Sequence, residues 1–278
     1  MLTFKASEEI RAYFKSKSER IGLVPTMGAL HSGHLSLVRK ACAENDYVVI
    51  SVYINPTQFN YQIDLESYPS NLSSDIALLD PFSDKIIFYT PDHKDLYPEK
   101  IQSKSYDFGS ITAHMEGLFR PGHFNGVATV IEALFRNIQP QKAYFGEKDF
   151  QQLLIIRNLV IQKKIKTKII GCEIVRGKNG LALSSRNILL DEHELKLAPI
   201  LYQTLIEAKK LKNKLTPREI IKYVEKKLSF FPSLSLEYFI IADENSLTPI
   251  DNFNINKKIR TFIAVKFGKI RLIDNLQF

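Results

Sequence analysis

Cysteine is scarce in this 278-residue sequence: Cys42 and Cys172 are the only two. Two cysteines make no disulfide framework, and without a CxxC pair they suggest no zinc site. No apolar run approaches the roughly 20 residues needed to cross a bilayer. The N-terminal stretch MLTFKASEEIRAYFKSKSER has no apolar core of signal-peptide length. There is no Walker A string and no GxGxxG, so the usual nucleotide signatures are missing. There is also no dense Lys/Arg block with interleaved aromatics. The richest runs, 163-KKIKTK-168 and 209-KKLKNK-214, read as solvated faces. The expectation is a soluble, cytoplasmic protein with reduced thiols, no membrane contact and no nucleic-acid partner. No internal repeat is present, and only 251-DNFNINKKIR-260 shows a mild Asn/Lys bias.

With 45% apolar residues, the chain can bury one large core or two modest ones. The formal charge of +8 fits solubility, and also anionic small substrates such as phosphates or carboxylates.

Hydrophobic periodicity predicts strands alternating with helices. A short polar helix is expected over 6–20 and a buried strand over 21-IGLVP-25. A Gly-containing loop follows, then a helix over 34–45 with Leu35, Val38 and Cys42 on one stripe. The run 47-YVVISVYI-54 is apolar throughout, as a buried parallel strand is. Further strands are predicted at 85–91 and 166–175, a short strand ending in a Gly-containing turn within 142–149, and helices at 126–138 and 150–162. This is an α/β pattern with an open, doubly wound parallel sheet. After about residue 175 the pattern changes. A capping box at Asp191 and Glu194 opens a helix that Pro199 interrupts, and a second helix starts at Thr216-Pro217. Strand-like runs at 234–243, 260–267 and 269–274 complete a smaller α+β domain. The boundaries are therefore 1–175 and 176–278.

Four polar segments fall at strand ends or nearby loops, where open α/β sheets bind ligands. In 27-MGALHSGH-34 the glycines permit close backbone approach, and a helix N-terminus follows. His31 and His34 either serve an anion there or are ordinary loop residues; as a zinc pair they lack further ligands. In 55-NPTQFN-60, Gln58 either meets a polar substrate with its amide or lies on a Pro turn. In 116-EGLFRPGHFNG-126, Arg120 and His123 flank a Pro-Gly pair before a helix. It is joined to 146-GEKDFQQ-152, where Lys148 suits a phosphate, and Asp149 suits a ribose hydroxyl or an ion pair with Lys148. In 180-GLALSSRN-187, two hydroxyls and a guanidinium can wrap a polyphosphate, or Ser185 and Asn187 can serve a turn.

Together the strings VPTMGALHSGHLSLV, YINPTQF, DLESYP, EGLFRPGHFNGVATV, AYFGEKDFQQL, GLALSSRN and IRLIDN resemble the pantoate–β-alanine ligase (pantothenate synthetase) family, in order and over nearly the whole length. HxGH alone is shared widely among nucleotidyltransferases. The resemblance implies a Rossmann-like nucleotidyltransferase domain, a smaller C-terminal domain and a homodimer. It implies an ATP-dependent reaction with Mg²⁺, in which (R)-pantoate is adenylated and β-alanine then displaces AMP. Carried over by motif, Met27, Gly28, Ala29, Leu30, His31, Ser32, Gly33 and His34 would line the ATP site. His34 would act on the triphosphate with His31 beside it. Gly146, Glu147, Lys148 and Asp149 would bind ATP, and Val175 would contact adenine. Leu183, Ser184, Ser185 and Arg186 would close over the pyrophosphate. Gln58 and Gln152 would hold pantoate, with Gln58 near β-alanine, and Asn55, Arg120 and His123 would complete the pocket. The implied catalytic group is His34, His31, Lys148 and Arg186. Two departures stand out. Leu183 replaces the family's usual Met, a change of similar volume, and Ser70 stands where a basic residue often follows Tyr-Pro. A small-molecule nucleotidyltransferase sharing HxGH, or a basic nucleic-acid-binding protein, are the competing functions.

Overall fold

A computed structural model describes residues 1–15, 18–254 and 256–278. Among the described residues, nine strands form two sheets: β1 (Leu2–Phe4), β2 (Ile21–Thr26), β3 (Tyr47–Val52), β4 (Ile86–Tyr89), β5 (Lys142–Gly146), β6 (Lys168–Cys172), β7 (Leu234–Asp243), β8 (Ile259–Phe267) and β9 (Ile270–Gln277). The chain packs as two units. The first comprises Met1–Phe108, Arg120–Glu147 and Gln152–Glu173; the second comprises Gly109–Phe119, Lys148–Gln151 and Ile174–Phe278.

The first unit holds a six-stranded sheet in the order β1-β4-β3-β2-β5-β6, and every pairing is parallel. Parallel strands need crossovers, so both sheet faces are covered and central strands are apolar on both sides. Val48, Val49 and Ile50 of β3 are accordingly fully buried. The helix Ser32–Glu44 buries Leu37, Val38, Ala41 and Cys42 against the same core. The helix His123–Ile138 buries Val127, Val130, Leu134 and Ile138. The first predicted helix is observed over Ser7–Phe14, while residues 16 and 17 of that prediction lie outside the described residues.

The second unit carries the antiparallel sheet β7-β8-β9. Its core joins Leu205, Ile220, Val224, Ile263, Val265 and Phe267. The interruption expected at Pro199 is real: helices Glu192–Leu197 and Ile200–Leu211 flank it. Both expected capping boxes form, at Asp191/Glu194 and at Thr216/Glu219.

Several elements were not legible in sequence. β1 is three residues long and largely exposed, so it has no periodicity to read. The short helices Gln62–Glu66, His93–Leu96 and Glu116–Phe119 are likewise too brief for a 3.6-residue pattern. The helix Leu72–Leu79 is capped by Asn71, whose side chain accepts the Ser74 N–H at 3.1 Å.

Candidate active site

From β2 the chain runs to β3 on one side, and β5 lies on the other. Ligands in open α/β sheets bind beyond the carboxyl ends of the strands at such a reversal. The loop after β2 is built tightly there. Gly28 (φ +85°) and Ala29 (φ +51°) are both left-handed. The Gly28 N–H donates to Thr26 Oγ1 at 3.2 Å. The Ala29 and Leu30 N–H groups donate to the Asp75 carboxylate at 3.1 and 2.7 Å. A Cβ on Gly28 would stand 3.1 Å from Asp75 Oδ2, so glycine is needed both for its conformation and for this approach. Asp75 is buried, which pushes its carboxyl pKa up, while the N–H bonds from Leu30 and Ala29 pull it down. Sequence reasoning gave Asp75 no role. Its signal was an acid four residues before the buried Leu79, on the inner face of a short helix.

The two histidines engage further backbone donors. His31 is the N-cap of Ser32–Glu44, and its Nδ1 accepts the Gly33 N–H at 3.1 Å. The His31 N–H in turn donates to His34 Nδ1 at 3.3 Å, and the rings lie 4.2 Å apart. Each Nδ1 is therefore an acceptor, which puts the proton of each neutral imidazole on Nε2. Ser32 and Gly33 form the first helical positions. The N–H groups of residues 28–31 and 33 are thus all bonded within the protein. These backbone amides are committed to acceptors within the protein, and the proton of each ring lies on Nε2.

Gln58 sits in the turn after β3 and is buried. Its Oε1 accepts from Asn55 Nδ2 at 3.1 Å, and its Nε2 contacts Met27 Sδ at 2.9 Å. Asn55 is fixed by the Gly126 carbonyl at 3.1 Å and by the Tyr97 hydroxyl at 2.5 Å. Burial pushes the Tyr97 hydroxyl pKa up, against the pull of its Thr57 and Asn55 hydrogen bonds, so it stays a protonated donor. Arg120 and His123 both turn to the Gln58 backbone carbonyl. His123 Nδ1 lies 2.8 Å from it and Arg120 Nη2 donates at 3.2 Å. Arg120 Nη1 lies 3.2 Å from His123 Nε2. An arginine only donates, so Nε2 is the acceptor and Nδ1 carries the proton. Gly126 permits this packing: a Cβ there would meet the Thr57 carbonyl oxygen at 2.4 Å. The fold thus brings Met27, Asn55, Gln58, Arg120 and His123 into one contiguous group. Gly146 ends β5, Glu147 follows it, and Gln152 is half-buried in the helix Phe150–Gln162.

The remaining expected residues lie in the second unit. Lys148 Nζ and Asp149 Oδ1 are 3.5 Å apart, with Asp149 the more exposed. The Leu183 N–H donates to the Val175 carbonyl at 2.9 Å, which closes a small hairpin ahead of the turn Ser185–Leu189. Ser184 caps that turn by accepting the Arg186 N–H at 3.3 Å. Ser185 is buried and Arg186 half-buried. Among the described residues, no three His, Cys, Asp or Glu side chains group as a metal site. Among them also, no helix is long and apolar enough to cross a membrane.

Comparison with known proteins agrees with this layout. The family model for pantoate–β-alanine ligase matches residues 2–277. The chain is 47% identical over 279 residues to a pantothenate synthetase from Flavobacterium psychrophilum, covering 99% of each. A crystal structure of pantothenate synthetase from Thermus thermophilus superposes with a TM-score of 0.91 at 40% identity, covering 100% of this chain and 99% of that one. A pantoate–β-alanine ligase from Francisella tularensis, solved with a β,γ-ATP compound and β-alanine, gives 0.82 at 35% identity, covering 100% and 97%. Matched by that family model over residues 2–277 and by full-length relatives, the chain belongs to the pantoate–β-alanine ligase family, and it is a ligase.

Proposed function

We propose that this chain condenses (R)-pantoate with β-alanine, driven by ATP cleavage. A pantoate carboxylate oxygen attacks the α-phosphorus, the bond to pyrophosphate breaks, and pantoyl adenylate forms. The β-alanine amine then attacks the acyl carbon, loses a proton, and AMP leaves. The observation that carries this reading is the His31–His34 pair, locked by Nδ1 contacts into Nε2–H donors beyond β2.

Adenylation is mostly a matter of placing the carboxylate in line with phosphorus. Charge on the α-phosphate and departing pyrophosphate must also be stabilised. His34 serves this as an Nε2–H donor, with His31 beside it, and Met27–His34 line the nucleotide. Gly146–Asp149 bind ATP, with Lys148 on the phosphates and Asp149 toward the ribose. Val175 meets adenine, and Leu183–Arg186 take the pyrophosphate. Gln58 and Gln152 hold pantoate, and Gln58 also serves β-alanine. Asn55, Arg120 and His123 contribute by holding Gln58. Residues 1–175 bind ATP and pantoate in this reading, and residues 176–278 supply the segment that shields the adenylate from water. Mg²⁺, when bound with ATP, would offset phosphate charge beside Lys148 and Arg186. The working form is a cytoplasmic homodimer.

The test is product analysis. Pantoate, β-alanine and ATP together should yield AMP and pyrophosphate, with AMP release dependent on the amine. ADP and orthophosphate would refute the adenylate route. A nucleotidyl product formed without amine would favour a simple nucleotidyltransferase.

A further inference from the structure

The stretch 270-IRLIDN-275 has no part in the chemistry proposed for the site, yet its last residue reaches a proposed phosphate-binding segment. Asn275 lies in β9 and is 2% exposed. Its Nδ2 donates to the backbone carbonyl of Lys148 at 2.9 Å. Its Oδ1 accepts from Arg260 Nη1 at 2.6 Å. A guanidinium only donates, so Arg260 fixes which end of the amide faces Lys148. Arg260 is itself buried, and its guanidinium lies 3.9 Å over the ring of Phe150. Phe150 is two residues beyond Lys148, so the contacts close a circuit around the segment: Lys148 carbonyl, Asn275, Arg260, Phe150. The Asn275 backbone is held as firmly. Its N–H donates to Asp274 Oδ1 at 2.8 Å, and its carbonyl accepts from Arg176 Nη2 at 3.3 Å. Arg176 also grips Asp274 with two bonds of 2.6 and 2.8 Å, and it stacks on Tyr202.

We propose that Asn275, with its amide oriented by Arg260, is a positioning residue that sets the backbone of Lys148 for phosphate contact. The proposal rests on the reading that Lys148 meets ATP. A purely structural role would satisfy the same carbonyl, and it would lower activity toward all three substrates alike rather than toward ATP alone.

The decisive variant is Asn275→Asp in the full chain. A carboxylate keeps an acceptor for Arg260 and removes the Nδ2 donor to Lys148, setting oxygen against oxygen. The expected result is a folded protein whose kcat/KM for ATP falls by about tenfold or more, up to the roughly 10²-fold that a misplaced group costs. KM for pantoate and β-alanine should be unmoved. In a Lys148→Ala background the same substitution should change kcat/KM for ATP by less than about twofold, because the two act through one contact. Multiplicative effects in the double variant, unchanged ATP parameters in Asn275→Asp, or a uniform loss across all three substrates would overturn the proposal. If Asn275→Asp does not fold, Arg260→Lys, which removes the fork but keeps the charge, must show the same ATP-selective loss. If Lys148→Ala alone leaves ATP parameters unchanged, it is the reading of Lys148 that fails.

Discussion

Residues 27–34 and 120–126 invite comparison. Each is a glycine-containing turn that delivers a histidine to the start of a helix, and by residue type each suits an anion. The structure uses them differently. In the first, Nδ1 of His31 and of His34 accept backbone N–H groups, which leaves the protons on Nε2. In the second, His123 turns Nδ1 to the Gln58 carbonyl while Arg120 donates to its Nε2. Both ring nitrogens of His123 are thereby engaged in holding a turn. The partner that Nδ1 finds thus sets which ring nitrogen carries the proton: Nε2 in the first turn, Nδ1 in the second.

That contrast can be broken by experiment. His34→Ala should reduce pantoate-dependent pyrophosphate exchange by about 10²–10³, the usual cost of losing one transition-state donor, with an unchanged circular dichroism spectrum. His123→Ala should cost less, with the loss appearing in KM for pantoate, because it loosens Gln58. Equal losses in both variants would erase the distinction. Gly126→Ala sharpens the second turn: a Cβ 2.4 Å from the Thr57 carbonyl oxygen must push the helix and turn apart. Denaturant titration should show about 1–3 kcal/mol of destabilisation. Asp75→Asn sharpens the first. It replaces one acceptor with a donor facing the Ala29 or Leu30 N–H, at a cost of about 1–3 kcal/mol, and should raise KM for ATP. The smallest effect concerns the sheet core behind both turns. Burial pushes the Cys172 thiol up to about 11 and raises that of Cys42. At pH 7 only roughly one Cys172 in ten thousand is then thiolate, so alkylation of native protein should be slow until denaturant is added.

Much of this was legible in the sequence, and the reason differs by residue. Val48–Ile50 read as a buried parallel strand because a strand covered on both faces must be apolar throughout. Pro199 and the Thr216-Pro217 pair read correctly because their constraints are local. By type and position His31, His34 and Gln58 left a binding and a loop reading open, and only the family resemblance singled them out. Their supports were not legible. Asp75 acts on Ala29 and Leu30 across 45 or more residues of sequence, and Asn275 acts on Lys148 across 127. No periodicity or turn rule reaches that far.

The sequence by itself determined the alternation of strands and helices, the change of character near residue 175 and which side chains could do chemistry. Each follows from a property of the residue and its near neighbours: apolarity, dihedral freedom or functional group. Tertiary structure decided the hydrogen-bond partners. It set the tautomers of three histidines, the burial of Asp75 beneath the loop and the bond from Asn275 to Lys148. A donor or acceptor is chosen by what lies within about 3 Å, and that distance is fixed only when remote parts of the chain have packed.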